Sequence, residues 1–144
     1  MSRQYYAIGT LYHVATRRVL LHHRDAHAAR SPNRWAFFGG AGEAADAGDP
    51  ITTWLREMQE ELGITLDRAG VVALCAYPDP VYAIRRYVYY APWPSRDTSF
   101  QLSEGDGYAW FTLEEALRLT DLTPNARADL LRLRDRLNRA PLRA

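Results

Sequence analysis

The 144-residue sequence contains no lysine; all 18 of its basic side chains are arginine. Without a lysine amine, Schiff-base chemistry and a lysine nucleophile are excluded. A single cysteine, Cys75, rules out a disulfide within the chain and leads us to expect a reducing, cytoplasmic compartment. The opening Met1-Ser2-Arg3-Gln4-Tyr5-Tyr6 lacks the apolar run of a signal peptide, and no stretch approaches the roughly 20 apolar residues of a membrane span. Charge of one sign is missing too. The formal net charge of +1 leaves no electrostatic footprint for a polynucleotide. Repeats and linker-like stretches are absent. What remains is a globular composition, 47% hydrophobic and 12% aromatic, which suits one domain over residues 1–144 with a core of its own.

Gln4 to Val14 and Arg18 to His23 are rich in aromatic and β-branched residues, and Ala15-Thr16-Arg17 between them reads as a turn. Asp25 to Asn33 is polar and reads as a loop. Trp35-Ala36-Phe37-Phe38 ends abruptly at Gly39-Gly40, where the backbone must adopt positive φ or admit a close neighbour. Val71 to Tyr77, Val81 to Tyr90 and Gly107 to Thr112 read as further strands. Thr112 and Thr123 are placed to cap a short helix, 113–119, and a final helix opening at Pro124. The final helix is expected to turn Leu130, Leu131, Leu133 and Leu137 inward and Arg132, Arg134, Arg136 and Arg139 to solvent. Strands mixed with a few helices predict a three-layer α/β/α or α+β domain.

The strongest local signal runs from Asp49 to Ile64. Asp49-Pro50 supplies a cap acid and a first-turn proline, and Gly63 supplies a left-handed stop, so a helix is predicted over 50–62. Ile51, Leu55, Met58 and Leu62 form its apolar stripe. Glu57 and Glu61 stand four residues apart, about 6 Å along the axis, and project away from that stripe with Glu60 beside them. Acids on a helix commonly serve only to wet its surface. Here their carboxylates could instead converge on one hard cation, with a backbone carbonyl of the Gly39-Gly40 turn joining from the side.

The stretch Arg56-Glu57-Met58-Gln59-Glu60-Glu61-Leu62-Gly63-Ile64 resembles the second half of the Nudix hydrolase signature, G-x5-E-x7-R-E-U-x-E-E-x-G-U with U aliphatic. It matches at every specified position. Trp35 to Gly40 is similar to the aromatic and glycine run that usually leads into that box, with Phe38 where proline is common. The box spans about residues 39–64. Its first half departs from the pattern: counting back from Arg56 puts Gly48 where the family has glutamate. Glu43, Asp46 and Asp49 lie nearby, and Glu43 or Asp49 is the expected partner of Arg56.

The resemblance implies an α/β fold, a Nudix-type α/β/α sandwich with a mixed β-sheet. It implies hydrolysis, with magnesium or alternatively manganese, of a nucleoside diphosphate linked to another group. By this resemblance Glu57 and Glu61 are the principal metal ligands, Glu60 assists, Gly40 adds a carbonyl, and Arg56 completes the box. Glu104, ahead of the 107–112 strand, is the expected general base or further ligand, with Asp106 second. Arg24, Trp35, Tyr77 and Tyr82, with Tyr6, are candidates for a base or sugar pocket, and one of Arg85 and Arg86 could reach a phosphate. A nucleoside triphosphate is the first expectation for substrate. A nucleotide sugar or ADP-ribose is the alternative, and a catalytically silent nucleotide-binding domain is the reading from another class. Partners are expected to be small nucleotides, not polynucleotides or membranes, with a homodimer allowed.

Overall fold

The computed structural model describes residues 4–103 and 107–142. Strand β1 (Tyr5–His13) turns back through Arg17, at φ 55°, into β2 (Arg18–His23). The aromatic run ahead of the glycines splits into β3 (Trp35–Ala36) and β4 (Phe38–Ala41). After α1 (Pro50–Leu62) come β5 (Val72–Pro78), β6 (Arg85–Pro92), β7 (Gly107–Thr112), α2 (Leu113–Leu117) and α3 (Pro124–Arg139).

The seven strands form one mixed sheet in the order β3-β2-β1-β6-β5, with β4 also on β1 and β7 also on β2. The β1–β6 pair is parallel, from Tyr5 opposite Arg85 to Tyr12 opposite Pro92, and the remaining pairs are antiparallel. One edge of β1 is thus shared. Its first half carries β4, and its last residues carry β2.

Period-two alternation divides the core into two layers. Ile8, Tyr12, Val19 and Leu21 face α3, whose Leu130, Leu133 and Leu137 are buried against them. Ala7, Leu11 and Leu20 face α1 through Trp54, Met58 and Leu62. A mixed sheet covered on both faces is the expected α/β/α sandwich. No helix among the described residues is long and apolar enough to cross a membrane.

Four details correct the sequence reading. Val81 to Ile84 is not strand: Asp79 accepts the backbone N–H groups of Val81 (2.8 Å) and Tyr82 (2.9 Å) and folds the segment into a turn. On α1 the buried aromatic is Trp54, which lies three residues from Ile51 and four from Met58, while Leu55 is only half buried. Leu131 is 41% exposed, so it lies outside the core. Arg136 donates to the carbonyls of Ala73 and Leu74 and so ties α3 to β5, while Arg132 pairs with Asp129 on the same helix and lies over the Tyr77 ring, so these two arginines do not merely wet its face.

Candidate active site

The site begins at the glycine turn. Gly39 sits at φ +152° opposite Ile8 on β1, and a Cβ there would stand 2.1 Å from the Ala7 carbonyl oxygen. Gly40 has a different reason to be bare: a Cβ would lie 2.5 Å from Oε1 of Glu57. The missing side chain lets the Glu57 carboxylate rest against the β4 backbone. The Trp54 indole donates to the Phe38 carbonyl at 3.2 Å and holds α1 in that position.

The helix starts and stops as its residues dictate. The Asp49 side chain accepts the Ile51 N–H at 3.1 Å, Pro50 follows, and Gly63 closes the helix at φ 67°. Glu60 projects to solvent, with its side chain 55% exposed, and Glu57 is largely covered. Glu61 is 5% exposed, although the helical projection placed it on an open face. The 98–103 connection explains this. Phe100 and Leu102 pack onto the α1 side of the core, and Ser103 donates from Oγ to the Glu60 carbonyl (2.8 Å) and from N to the Glu61 carbonyl (3.0 Å). Glu104 and Asp106 lie outside the described residues.

Arg56 is held from several sides. Its Nε and Nη2 reach Oδ1 and Oδ2 of Asp46, each at 3.0 Å. Its Nη1 donates to Glu57 (3.1 Å) and Glu60 (3.1 Å), and its Nη2 to the Ala41 carbonyl (3.1 Å). Asp46 also accepts from Thr53 Oγ1 (2.8 Å) and the Glu43 N–H (2.9 Å). Because the Thr53 proton is thereby used, Tyr5 must be the donor in the 2.7 Å Tyr5–Thr53 contact. The Arg56 hydrogen bonds hold the Asp46 carboxyl well below the usual carboxylate range, against the opposing effect of burial. Asp46 and Glu60, first among its anionic partners, push the Arg56 guanidinium still higher.

The principal partner of Arg56 is therefore Asp46; the expectation of Glu43 holds only as a secondary ion pair, and that of Asp49 is corrected. Glu43 makes only an exposed contact at 3.4 Å, while Asp49 caps α1 and pairs with Arg68. A sequence signal for Asp46 existed. It follows Gly40 by six positions, the family's own interval between glycine and glutamate, and the two surplus residues fall between Asp46 and Arg56. Ala47 (φ 53°) and Gly48 (φ 75°), both left-handed, form the extra turn after the 3₁₀ segment Ala44–Asp46.

Beside Glu57 and the two glycines opens a cavity of about 360 Å³. Tyr6, Arg24 and Tyr82 line it, and so do Arg30, Asp79, Arg86, Asn125 and Asp129, of which only Arg86 was anticipated, as one of an adjacent pair. Trp35 and Tyr77 do not. Trp35 packs edge-on against His23 and Phe111, and Tyr77 donates its hydroxyl to buried Asp129 at 3.1 Å. Burial, then the Asp129 charge, pushes the Tyr77 hydroxyl up to about 12. Burial also raises Asp129, whereas in Asp79 it is outweighed by the N–H groups of Tyr82 and Val81 and by Arg86, which leave that carboxyl low. Asp79 Oδ2 takes Arg86 (3.2 Å) and Asn125 (3.3 Å), so this acid is saturated. Nε of Arg86 is buried with no acceptor among the described residues.

An acid helix laid against a glycine turn, beside a pocket lined by arginines, is suited to holding a cation together with a phosphate group. The family model described as NUDIX domain matches residues 5–133. The chain belongs to the Nudix family and is a Nudix-type hydrolase of phosphoric anhydride bonds. It is similar in fold to the Escherichia coli ORF135 protein, with 22% identity, 99% of this chain and 97% of that one covered, and a TM-score of 0.70. It is similar to a MutT protein from Methanosarcina mazei Go1 (20% identity, 96% and 98% covered, TM-score 0.73). It also resembles the NUDIX domain of Shewanella oneidensis NrtR complexed with ADP ribose (20%, 93% and 86% covered, TM-score 0.70). Comparison with curated proteins finds no match.

Proposed function

We propose that the chain is a magnesium-dependent pyrophosphohydrolase whose substrate is a nucleoside triphosphate. The observation that carries this reading is that Glu57 and Gly40 line the same cavity as Tyr82, Arg86 and Asn125. A diphosphate at the acid helix therefore has its nucleoside within reach of the pocket. At about 360 Å³ the cavity is near the lower end of ligand-pocket sizes and accommodates one nucleoside, which favours a triphosphate over a dinucleotide. ADP-ribose, the ligand of the NrtR domain, is the second reading, with its adenosine in the same pocket.

The donor set fits the cation. It is carboxylate oxygen from Glu57, Glu61 and Glu60 with the Gly40 carbonyl, and the bare Gly40 Cα leaves Glu57 its place. Among the described residues no three acids, histidines or cysteines form a ready-made ligand cluster. Magnesium takes one or two carboxylates and completes its shell with substrate phosphate and water, and Glu57 and Gly40 are the members of the set that line the cavity. Once bound, magnesium neutralises the diphosphate oxygens and lowers the pKa of the attacking water.

Arg56 acts as a positioning residue. Its guanidinium spans Asp46, Glu57 and Glu60 and so sets the acids on one side of the helix. Glu104 is the proposed proton acceptor from water, and its neighbour Ser103 is fastened to the last turn of α1. Water adds to phosphorus, the anhydride P–O bond breaks, and a nucleotide and a phosphorylated remainder leave. The test is a panel of nucleoside triphosphates, nucleotide sugars, ADP-ribose and dinucleotides assayed with magnesium and with chelator. Metal-dependent turnover, fastest with a triphosphate, is expected. No turnover of any member overturns the reading.

A further inference from the structure

Tyr82 is a large aromatic left 41% exposed, yet its position is tightly fixed. Asp79 accepts its N–H at 2.9 Å, and its carbonyl accepts the Ile84 N–H at 2.7 Å. The ring lines the cavity and offers a face on which a flat group can stack. In the structure that group is Arg30. Its guanidinium lies 3.8 Å from the Tyr82 ring centroid and 4.9 Å from that of Tyr6. Arg30 comes from the other wall, the loop between β2 and β3, where Arg24 donates from Nε to the Arg30 carbonyl at 2.7 Å. Arg24 thus spends its Nε aiming Arg30.

We propose that Tyr82 and Arg30 are the two jaws of a clamp for the flat heterocycle of the substrate. The proposal rests on the nucleotide reading above and adds to it the residues that hold the base. At 3.8 Å the guanidinium occupies the place where a base would stack. A base on an aromatic face outcompetes an exposed cation on the same face. The long, exposed Arg30 side chain gives way and covers the opposite face of the base, while its backbone stays tied to Arg24. The clamp is built from two loops and owes nothing to the acid helix, so it governs which ring is held and leaves the chemical step alone.

The experiment combines steady-state kinetics on the best triphosphate with equilibrium binding of two probes, the matching nucleoside monophosphate and ribose 5-phosphate. Arg30→Ala and Tyr82→Ala are each expected to raise KM about ten-fold, with kcat within two-fold of wild type, and Tyr82→Phe to restore KM. The double variant is expected to be no worse than either single variant, because one jaw does not clamp. Both alanine variants should weaken the monophosphate about ten-fold and leave ribose 5-phosphate unchanged. An unchanged or lowered KM in Arg30→Ala overturns the clamp, as do effects that multiply in the double variant. Equal weakening of ribose 5-phosphate makes Arg30 a phosphate contact and overturns it too. A wild-type chain that hydrolyses no member of the panel and binds no monophosphate overturns the clamp and the functional reading together.

Discussion

Asp46 grips Arg56 at two points, Oδ1 to Nε and Oδ2 to Nη2, each at 3.0 Å, with the Asp46 side chain 2% exposed and that of Arg56 19% exposed. The pair ties the irregular loop to α1 and keeps the guanidinium between Glu57 and Glu60. Removing one partner of a buried pair costs about 3–5 kcal/mol, and the partial exposure of Arg56 brings the expectation to roughly 2–3 kcal/mol for Asp46→Ala. At about 2–4 °C per kcal/mol for a chain of this size, thermal melting should show a loss of roughly 5–10 °C. A melting temperature within a degree of wild type would remove Asp46 from this role.

The same carboxylate sets a pH dependence. Its folded pKa lies below its unfolded value of about 3.9, so its contribution is fully present above that value and is lost as pH falls through the folded pKa. The stability gap between wild type and Asp46→Asn should therefore be constant from pH 7 down to about pH 5 and shrink below about pH 4. Denaturant titrations at a series of pH values measure it. A gap that stays level to acid pH contradicts the linkage.

The adjacent glycines should fail in different ways. In Gly39→Ala the new Cβ meets β1 backbone at 2.1 Å and at positive φ, so poor folding is expected. In Gly40→Ala it meets the end of the Glu57 side chain at 2.5 Å, which can swing aside. Gly40→Ala should fold with a melting temperature within a few degrees of wild type while its kcat falls by at least ten-fold. Equal behaviour of the two variants would refute the assignment of separate roles.

Cys75 reports on the packing behind the cavity wall, where its Sγ lies 3.8 Å from Asp129 Oδ1. Burial, then the Asp129 charge, pushes its thiol up to about 11 from an ordinary 9.0. With about a hundred-fold less thiolate at pH 8, alkylation by iodoacetamide should be roughly a hundred-fold slower than for a free thiol. The rate should recover in denaturant. Rapid alkylation of the folded chain contradicts the burial.

What could be read from the residues was whatever is decided locally. Asp49-Pro50 and Gly63 set both ends of α1, and the glycine pair announced a close approach that proved to be Glu57 at Gly40 and β1 at Gly39. What escaped depends on distant partners. Val81 to Ile84 has a strand's composition, yet one carboxylate folds it into a turn. Asn125 and Asp129 come from α3, and only the layered sheet brings them to one cavity with Arg86 of β6. Asp46 lay in plain view, six positions after Gly40, but the box pattern counted backwards from Arg56 passed over it.

The most direct measurement of the central assignment is magnesium-dependent hydrolysis of the best triphosphate by Glu57→Gln and Glu61→Gln. Replacing a carboxylate by an amide of the same shape removes a charged oxygen ligand and leaves the packing in place. Both variants should fold, shown by circular dichroism and melting within a few degrees of wild type, and should lose at least a hundred-fold in kcat. A rate within two-fold of wild type in either variant would contradict the assignment of that glutamate to the metal.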